Sequence, residues 1–117
     1  VIRACAGRGV PAVPGCFTPT GIHWAREAGA DMIKVFPADV VGMEFFKAVL
    51  APMPGLRLMP TGGVTPENAG DWIRHGAVAV GVGGALLDRR AIAERDGGAL
   101  RGPAAALLAS IRAARAG

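Results

Sequence analysis

Met32-Ile33-Lys34-Val35-Phe36-Pro37-Ala38 is the stretch that decides the fold. The apolar run from Met32 to Phe36 is too short for a helix and is closed by Pro37, as a buried strand is. Three further runs share this character: Val10–Val13, Leu56–Met59 and Val78–Val82. None alternates cleanly with polar residues, which suits parallel strands covered on both faces. A lysine inside such a strand is costly to bury. The two-residue period places Lys34 on one face with Met32 and Phe36. If that face is an interior, the amine is desolvated and its neutral form gains. A neutral lysine amine is the nucleophile of Schiff-base chemistry. The alternative is a lysine that snorkels to solvent at a strand end. Lys47, the other lysine, falls on an amphipathic helix and reads as solvated.

Helical segments separate the runs. Thr18-Pro19 is a cap followed by proline at the first helical position, and Thr65-Pro66 repeats the device. The first of these helices carries Ile22, Trp24, Ala25 and Ala28 and stops at Gly29. Met43–Leu50 is a third helical segment, ended by Pro52 and Pro54. Residues 1–8 form a helix, and a last one runs from Pro103 to about Arg115 with Leu107, Leu108 and Ile111 on one face. The resulting order is helix, then four strands each followed by a helix. This is the α/β class, with right-handed βα units on a parallel sheet. The spacing of ~20–25 residues per unit is that of a TIM (β/α)8 barrel, of which four strands make the C-terminal half. The chain is expected to be a single partial domain, residues 1–117, with core βα units at 1–88 and C-terminal helices at 89–117.

Composition removes several function classes. Apolar residues are 51% and charged residues 19% of the 117, which excludes a disordered chain. The net charge is +4, but the basic residues are scattered and aromatics are only 5%, so nucleic acid is not an expected partner. The uncharged stretch Gly76–Leu87 is shorter than the ~18 residues a membrane helix needs, so no membrane association is expected. No signal peptide is legible, and a cytoplasmic location with reduced Cys5 and Cys16 is expected. The first residue is Val1 rather than methionine, which points to residues upstream. His23 and His75 lie in no Cys/His cluster, so no metal is expected. Cys16 has no basic neighbour to activate it.

Chemistry in a parallel barrel gathers at the C-terminal ends of the strands, with phosphate in the loops after the last two. Thr61-Gly62-Gly63-Val64-Thr65 follows the third run, and Gly81-Val82-Gly83-Gly84-Ala85 ends the fourth. Paired glycines let backbone N–H groups approach an oxyanion closely. Each loop alone marks no more than a tight turn. Their joint position at the last two strands points to phosphate.

Val13-Pro14-Gly15, Thr18-Pro19-Thr20, Ile33-Lys34-Val35-Phe36-Pro37-Ala38, Met59-Pro60-Thr61-Gly62-Gly63-Val64 and Val80-Gly81-Val82-Gly83 together follow the order and spacing of one family. The chain resembles the 2-keto-3-deoxy-6-phosphogluconate aldolases, which overlap with the 4-hydroxy-2-oxoglutarate aldolases. The resemblance covers residues 1–88 well and the tail loosely. It implies a class I aldolase acting on a small phosphorylated keto acid, without metal or organic cofactor. It implies that Lys34 forms the Schiff base and that Phe36 contacts substrate. Thr61, Gly62 and Gly63 would line the substrate and phosphate site, and Gly83 and Gly84 would complete the phosphate cradle. It also implies a homo-oligomer, a trimer in the full-length family.

The chain departs from the family pattern in three places. Ala85 stands where many members have a phosphate-binding serine, and Gly21 where many have a glutamate. The family's catalytic glutamate and its neighbouring arginine belong to the first half of the barrel. Asp39 and Glu44 follow the lysine strand, but neither matches that glutamate. The 117 residues alone are therefore expected to be weak or inactive. A non-enzymatic fragment that binds phosphate or complements an N-terminal half is the alternative.

Overall fold

The computed structural model describes all 117 residues. Seven helices and three strands follow one another in the order α1 (Ile2–Ala6), β1 (Gly15–Cys16), α2 (Pro19–Glu27), β2 (Ile33–Val35), α3 (Ala38–Val41), α4 (Glu44–Leu50), β3 (Leu58–Pro60), α5 (Ala69–Arg74), α6 (Arg89–Ala93) and α7 (Gly97–Ala116). The strands form one parallel sheet in the order β1-β2-β3. Lys34 pairs with Gly15 on one side and Met59 on the other.

The two faces of β2 differ. Ile33 and Val35 are 2% and 0% exposed, and with Leu58 they meet Ile22 of α2, Phe46 and Val49 of α4 and Trp72 of α5 in one core. On the other face Lys34 is half-buried and Phe36, just beyond the strand, is 51% exposed. Helices thus cover one face only, whereas the sequence pattern predicted cover on both. Only 17 of 117 residues are buried. The radius of gyration is 15.5 Å, against about 13 Å for a compact chain of this length. Both values fit a sheet with one open face and a long terminal helix.

Four predicted strands become three. The segment Val78–Val82 joins β3 through Val78 N–H to the Leu58 carbonyl (3.0 Å), Gly81 N–H to the Pro60 carbonyl (2.8 Å) and one parallel bridge between Thr61 and Gly81. With no neighbour on its far side it does not hold a regular ladder. The first strand lies at Gly15–Cys16 instead of Val10–Val13. Pro11 and Pro14 have no N–H to give to a ladder, and Val10 and Val13 are exposed.

Helix ends show similar shifts. Thr18 caps α2 through a bond from the Gly21 N–H (3.1 Å), as expected, but Trp24 is 69% exposed. Thr65-Pro66 does not open α5 directly. Thr65 N–H donates to Asn68 Oδ1 (2.9 Å) and Asn68 N–H to Thr65 Oγ1 (3.3 Å), so the chain turns once before the helix starts at Ala69. Asp96 caps α7 through the Ala99 N–H (3.0 Å), which starts that helix before Pro103. Leu107 and Ile111 pack on the core, whereas Leu108 points out at 50% exposure. The short helices α3 and α6 carry too few residues for a sequence period to reveal them.

Candidate active site

β2 carries Lys34 in its centre and delivers Phe36 just past its C-terminal end. Lys34 Nζ lies 4.9 Å from the centroid of the Phe36 ring. It forms no ion pair; the salt bridges of the chain lie elsewhere. Lys34 as a residue is half-buried, short of the full burial expected from a strand covered on both faces.

Phe36 forms one wall of a cleft of about 340 Å³. The other walls are the Thr61–Thr65 loop and Gly81, Gly83, Gly84 and Ala85. The two glycine loops meet because the Thr61–Gly81 bridge joins their bases. Phe36, Thr61, Gly62, Gly63, Gly83 and Gly84, all singled out from the sequence, therefore share one cleft. Lys34 does not line it directly and reaches it through the Phe36 ring.

The cleft is rich in free donors. The N–H groups of Gly63, Val64, Gly83, Gly84 and Ala85 donate to no acceptor in the protein. Gly62 and Gly63 have φ of 98° and 70°, a region that L side chains rarely adopt. Asn68 Nδ2 donates to the Gly63 carbonyl (2.9 Å). Thr61 Oγ1 is buried without a hydrogen-bond partner and faces Gly81. A buried hydroxyl left unpaired costs stability and is commonly satisfied by a ligand or water. Val64, Thr65, Gly81 and Ala85 line the cleft as well; the sequence placed them in the two glycine loops without assigning them a role. The missing Cβ of Gly81 makes room for the Thr61 hydroxyl.

The carboxylates near the lysine strand separate in space. Glu44 binds Lys47 Nζ and His75 Nε2, both at 3.2 Å, on the helical side. Lys47, by hydrogen bond and charge, holds the Glu44 carboxyl below its ordinary range, with a smaller contribution from His75. Asp39, at the start of α3, packs instead against the Gly62-Gly63 turn. Cys16 Sγ lies 3.5 Å from the Gly21 carbonyl, and burial pushes its thiol up, away from nucleophilic use. His75 ends α5, with Nδ1 2.7 Å from the Asp71 carbonyl. A second cleft, about 200 Å³ between Arg26, Asp31 and Arg57, lies at the opposite ends of the strands and holds none of the expected site residues. No helix is long and apolar enough to cross a membrane.

Comparison with known proteins converges on one family. The family model described as "Aldolase: KDPG and KHG aldolase" matches residues 1–101. The chain is 41% identical over 87 residues to the 2-dehydro-3-deoxy-6-phosphogalactonate aldolase of Escherichia coli (strain K12), covering 74% of this chain and 42% of that protein. It is 34% identical over 97 residues to the 2-dehydro-3-deoxy-phosphogluconate aldolase of Treponema pallidum (strain Nichols), covering 82% and 46%. A solved structure described as native KDPGal superposes with a TM-score of 0.86 at 36% identity, over 97% of this chain and 54% of that one. The chain thus spans about half the length of the relatives it matches. The chain belongs to the KDPG and KHG aldolase family.

Proposed function

We propose that the chain carries the Schiff-base half of a class I aldolase barrel that cleaves 2-keto-3-deoxy-6-phosphogluconate and related 4-hydroxy-2-oxo acids. Lys34 adds to the C2 ketone, and loss of water gives an iminium. The iminium accepts the electron pair of the C3–C4 bond as it breaks, while a base takes the C4 hydroxyl proton. Protonation of the enamine at C3 and hydrolysis release pyruvate. The other product is glyceraldehyde 3-phosphate. Schiff-base chemistry of this kind needs no metal or organic cofactor.

The observation that carries this reading is the position of the Lys34 amine 4.9 Å from the ring of Phe36, itself a wall of the glycine-lined cleft. In this reading Phe36 and Thr61 contact the substrate. The free N–H groups at Gly63, Gly83 and Gly84, together with Gly62, hold its phosphate. The relative named for 6-phosphogalactonate extends the substrate class to the C4 epimer. C4 becomes the aldehyde carbon, so both epimers give the same products.

No carboxylate pairs with Lys34, so turnover by the 117 residues alone is slow. A missing general acid–base group costs ~10²–10⁴-fold. A second reading follows from the open sheet face: a single partial domain, with the core units at 1–88, that completes its barrel with a separate half or another copy. Pyruvate release from the phosphorylated substrate tests the first reading. Release that Lys34→Arg abolishes supports it; slow release unchanged by that substitution contradicts it.

A further inference from the structure

We propose that Arg115, near the end of α7, is a positioning residue for the glycine-lined cleft: it holds the Val78–Val82 segment in place and so keeps the Gly83-Gly84 loop ordered for phosphate. Its bearing on phosphate rests on the reading of that cleft as the phosphate site. Val78 N–H donates to the Leu58 carbonyl at 3.0 Å. In a regular parallel ladder the Val78 carbonyl would then accept from the N–H two places further along β3. That place is Pro60, which has no N–H. The next bond, from the Gly81 N–H to the Pro60 carbonyl at 2.8 Å, advances three residues on the segment against two on β3. One residue is therefore extra, as in a β-bulge, and the ladder is broken at Ala79-Val80. No backbone N–H reaches the Val78 carbonyl. Its donor is Arg115 Nη2, at 2.8 Å.

The seat of α7 brings the arginine there. Ser110 Oγ accepts from the Gly70 N–H of α5 at 3.0 Å, and a Cβ on Gly70 would stand 2.9 Å from the Ser110 carbonyl oxygen, so the two helices meet at close range. Leu107 and Ile111 pack on the core from the same helix. Arg112 is exposed and enters no salt bridge. Three hydrogen bonds tie the Val78–Val82 segment to the rest of the chain: the N–H groups of Val78 and Gly81 to β3, and the Val78 carbonyl to Arg115. Only the last comes from outside the sheet, and no strand pairs on the far side. Without Arg115 the Val78 carbonyl has no partner in the protein, and β3 alone holds the segment. Gly83 and Gly84 follow directly, with N–H groups free for a ligand. Apparent affinity falls with the fraction of chains in which those groups are in place.

Amide hydrogen exchange and a titration with methyl phosphate, both read by NMR on the 117-residue chain, test this. The proteins are the parent, Arg115→Ala, and Arg112→Ala, which removes the same charge from the same end of α7. Arg115→Ala is expected to speed exchange at Val78 and Gly81 about fivefold, the worth of one exposed hydrogen bond. Exchange at Ile33, whose N–H donates to the Arg57 carbonyl at 2.8 Å, should not change. Methyl phosphate, followed at Gly63, Gly83 and Gly84, should weaken about two- to fivefold. Arg112→Ala is expected to do neither. Equal weakening by both substitutions would assign the effect to charge, and faster exchange at Ile33 as well would assign it to general destabilisation; either overturns the positioning role. So does an Arg115→Ala chain that exchanges Val78 and Gly81 at the parent rate or binds methyl phosphate as tightly as the parent. A parent chain whose glycine amides ignore methyl phosphate takes down the phosphate site, and exchange at Val78 and Gly81 then decides separately whether Arg115 holds the segment.

Discussion

Lys34 and Phe36 stand one strand period apart, and the lysine amine lies 4.9 Å from the phenyl centroid. Cation–π contacts at exposed sites are worth ~0.5–1 kcal/mol, enough to bias a flexible side chain but not to lock it. The ring that the amine contacts is also a wall of the glycine-lined cleft. The register Gly15–Lys34–Met59 keeps this face open, because the neighbour on one side has no side chain.

Gly63→Val should separate phosphate binding from keto-acid chemistry. The new Cβ would run into Asp39 Cβ at 2.5 Å, and φ is 70° at this position. The loop must shift and withdraw its N–H groups. Loss of a hydrogen bond to a charged group costs ~1.5–3 kcal/mol, so affinity for the phosphorylated substrate should fall ~10–100-fold. Binding of a non-phosphorylated 4-hydroxy-2-oxo acid should change little. Equal losses for both substrates would show that this loop does not read phosphate.

Phe46→Ala should destabilise the whole chain. Phe46 is 0% exposed and meets Trp72 edge-on, with centroids 5.2 Å apart. Truncating a buried phenylalanine costs ~3–5 kcal/mol. Denaturant midpoints measure this, and a shift equal to that of an exposed-site substitution such as Val40→Ala would place the core elsewhere.

Acid should weaken the ion pairs of Glu44, chiefly that with Lys47 inside α4. Lys47 first, then His75, hold the Glu44 carboxyl below its ordinary range. A depressed carboxyl contributes stability that is present above the unfolded value, ~4.3 for glutamate, and lost as pH falls through the folded one. NMR titration of Glu44 should show the low midpoint, and Lys47→Ala should move it back up. A midpoint indifferent to Lys47→Ala would mean that the ion pair does not persist in solution.

Much of this arrangement was legible in the sequence, for identifiable reasons. The lysine strand was legible because an apolar run closed by proline leaves few other conformations, and the α2 cap because Thr18-Pro19 acts locally. The cleft was legible as two glycine loops, since each closes its own apolar run. The fourth strand was not, because regular pairing depends on a neighbour that hydrophobicity does not encode. Nor was the start of α5, which the side-chain amide of Asn68 delays. The place of Asp39 over Gly63 depends on how α3 docks against the Thr61 loop, a tertiary contact without a local pattern.

The chain should not persist as a single monomeric species. β1 pairs on one side only, and Val10, Val13, Phe17 and Phe36 are 45–52% exposed. Unpaired edges and open apolar faces recruit further chains. Sedimentation velocity at low micromolar concentration should show self-association or aggregation. One species near 11.9 kDa, unfolding cooperatively and binding no hydrophobic dye, would contradict this and the half-barrel reading with it.

Borohydride trapping with pyruvate tests the central claim most directly. The chain offers only two lysines, Lys34 and Lys47, so mass spectrometry of the reduced adduct gives an unambiguous site. Lys47 is held by Glu44 at 3.2 Å on the helical side. The expected result is a single pyruvyl adduct on Lys34, absent in Lys34→Arg. An adduct on Lys47 alone, or none even when the chain is completed to the full length of its relatives, would contradict the assignment of Lys34 as the Schiff-base residue.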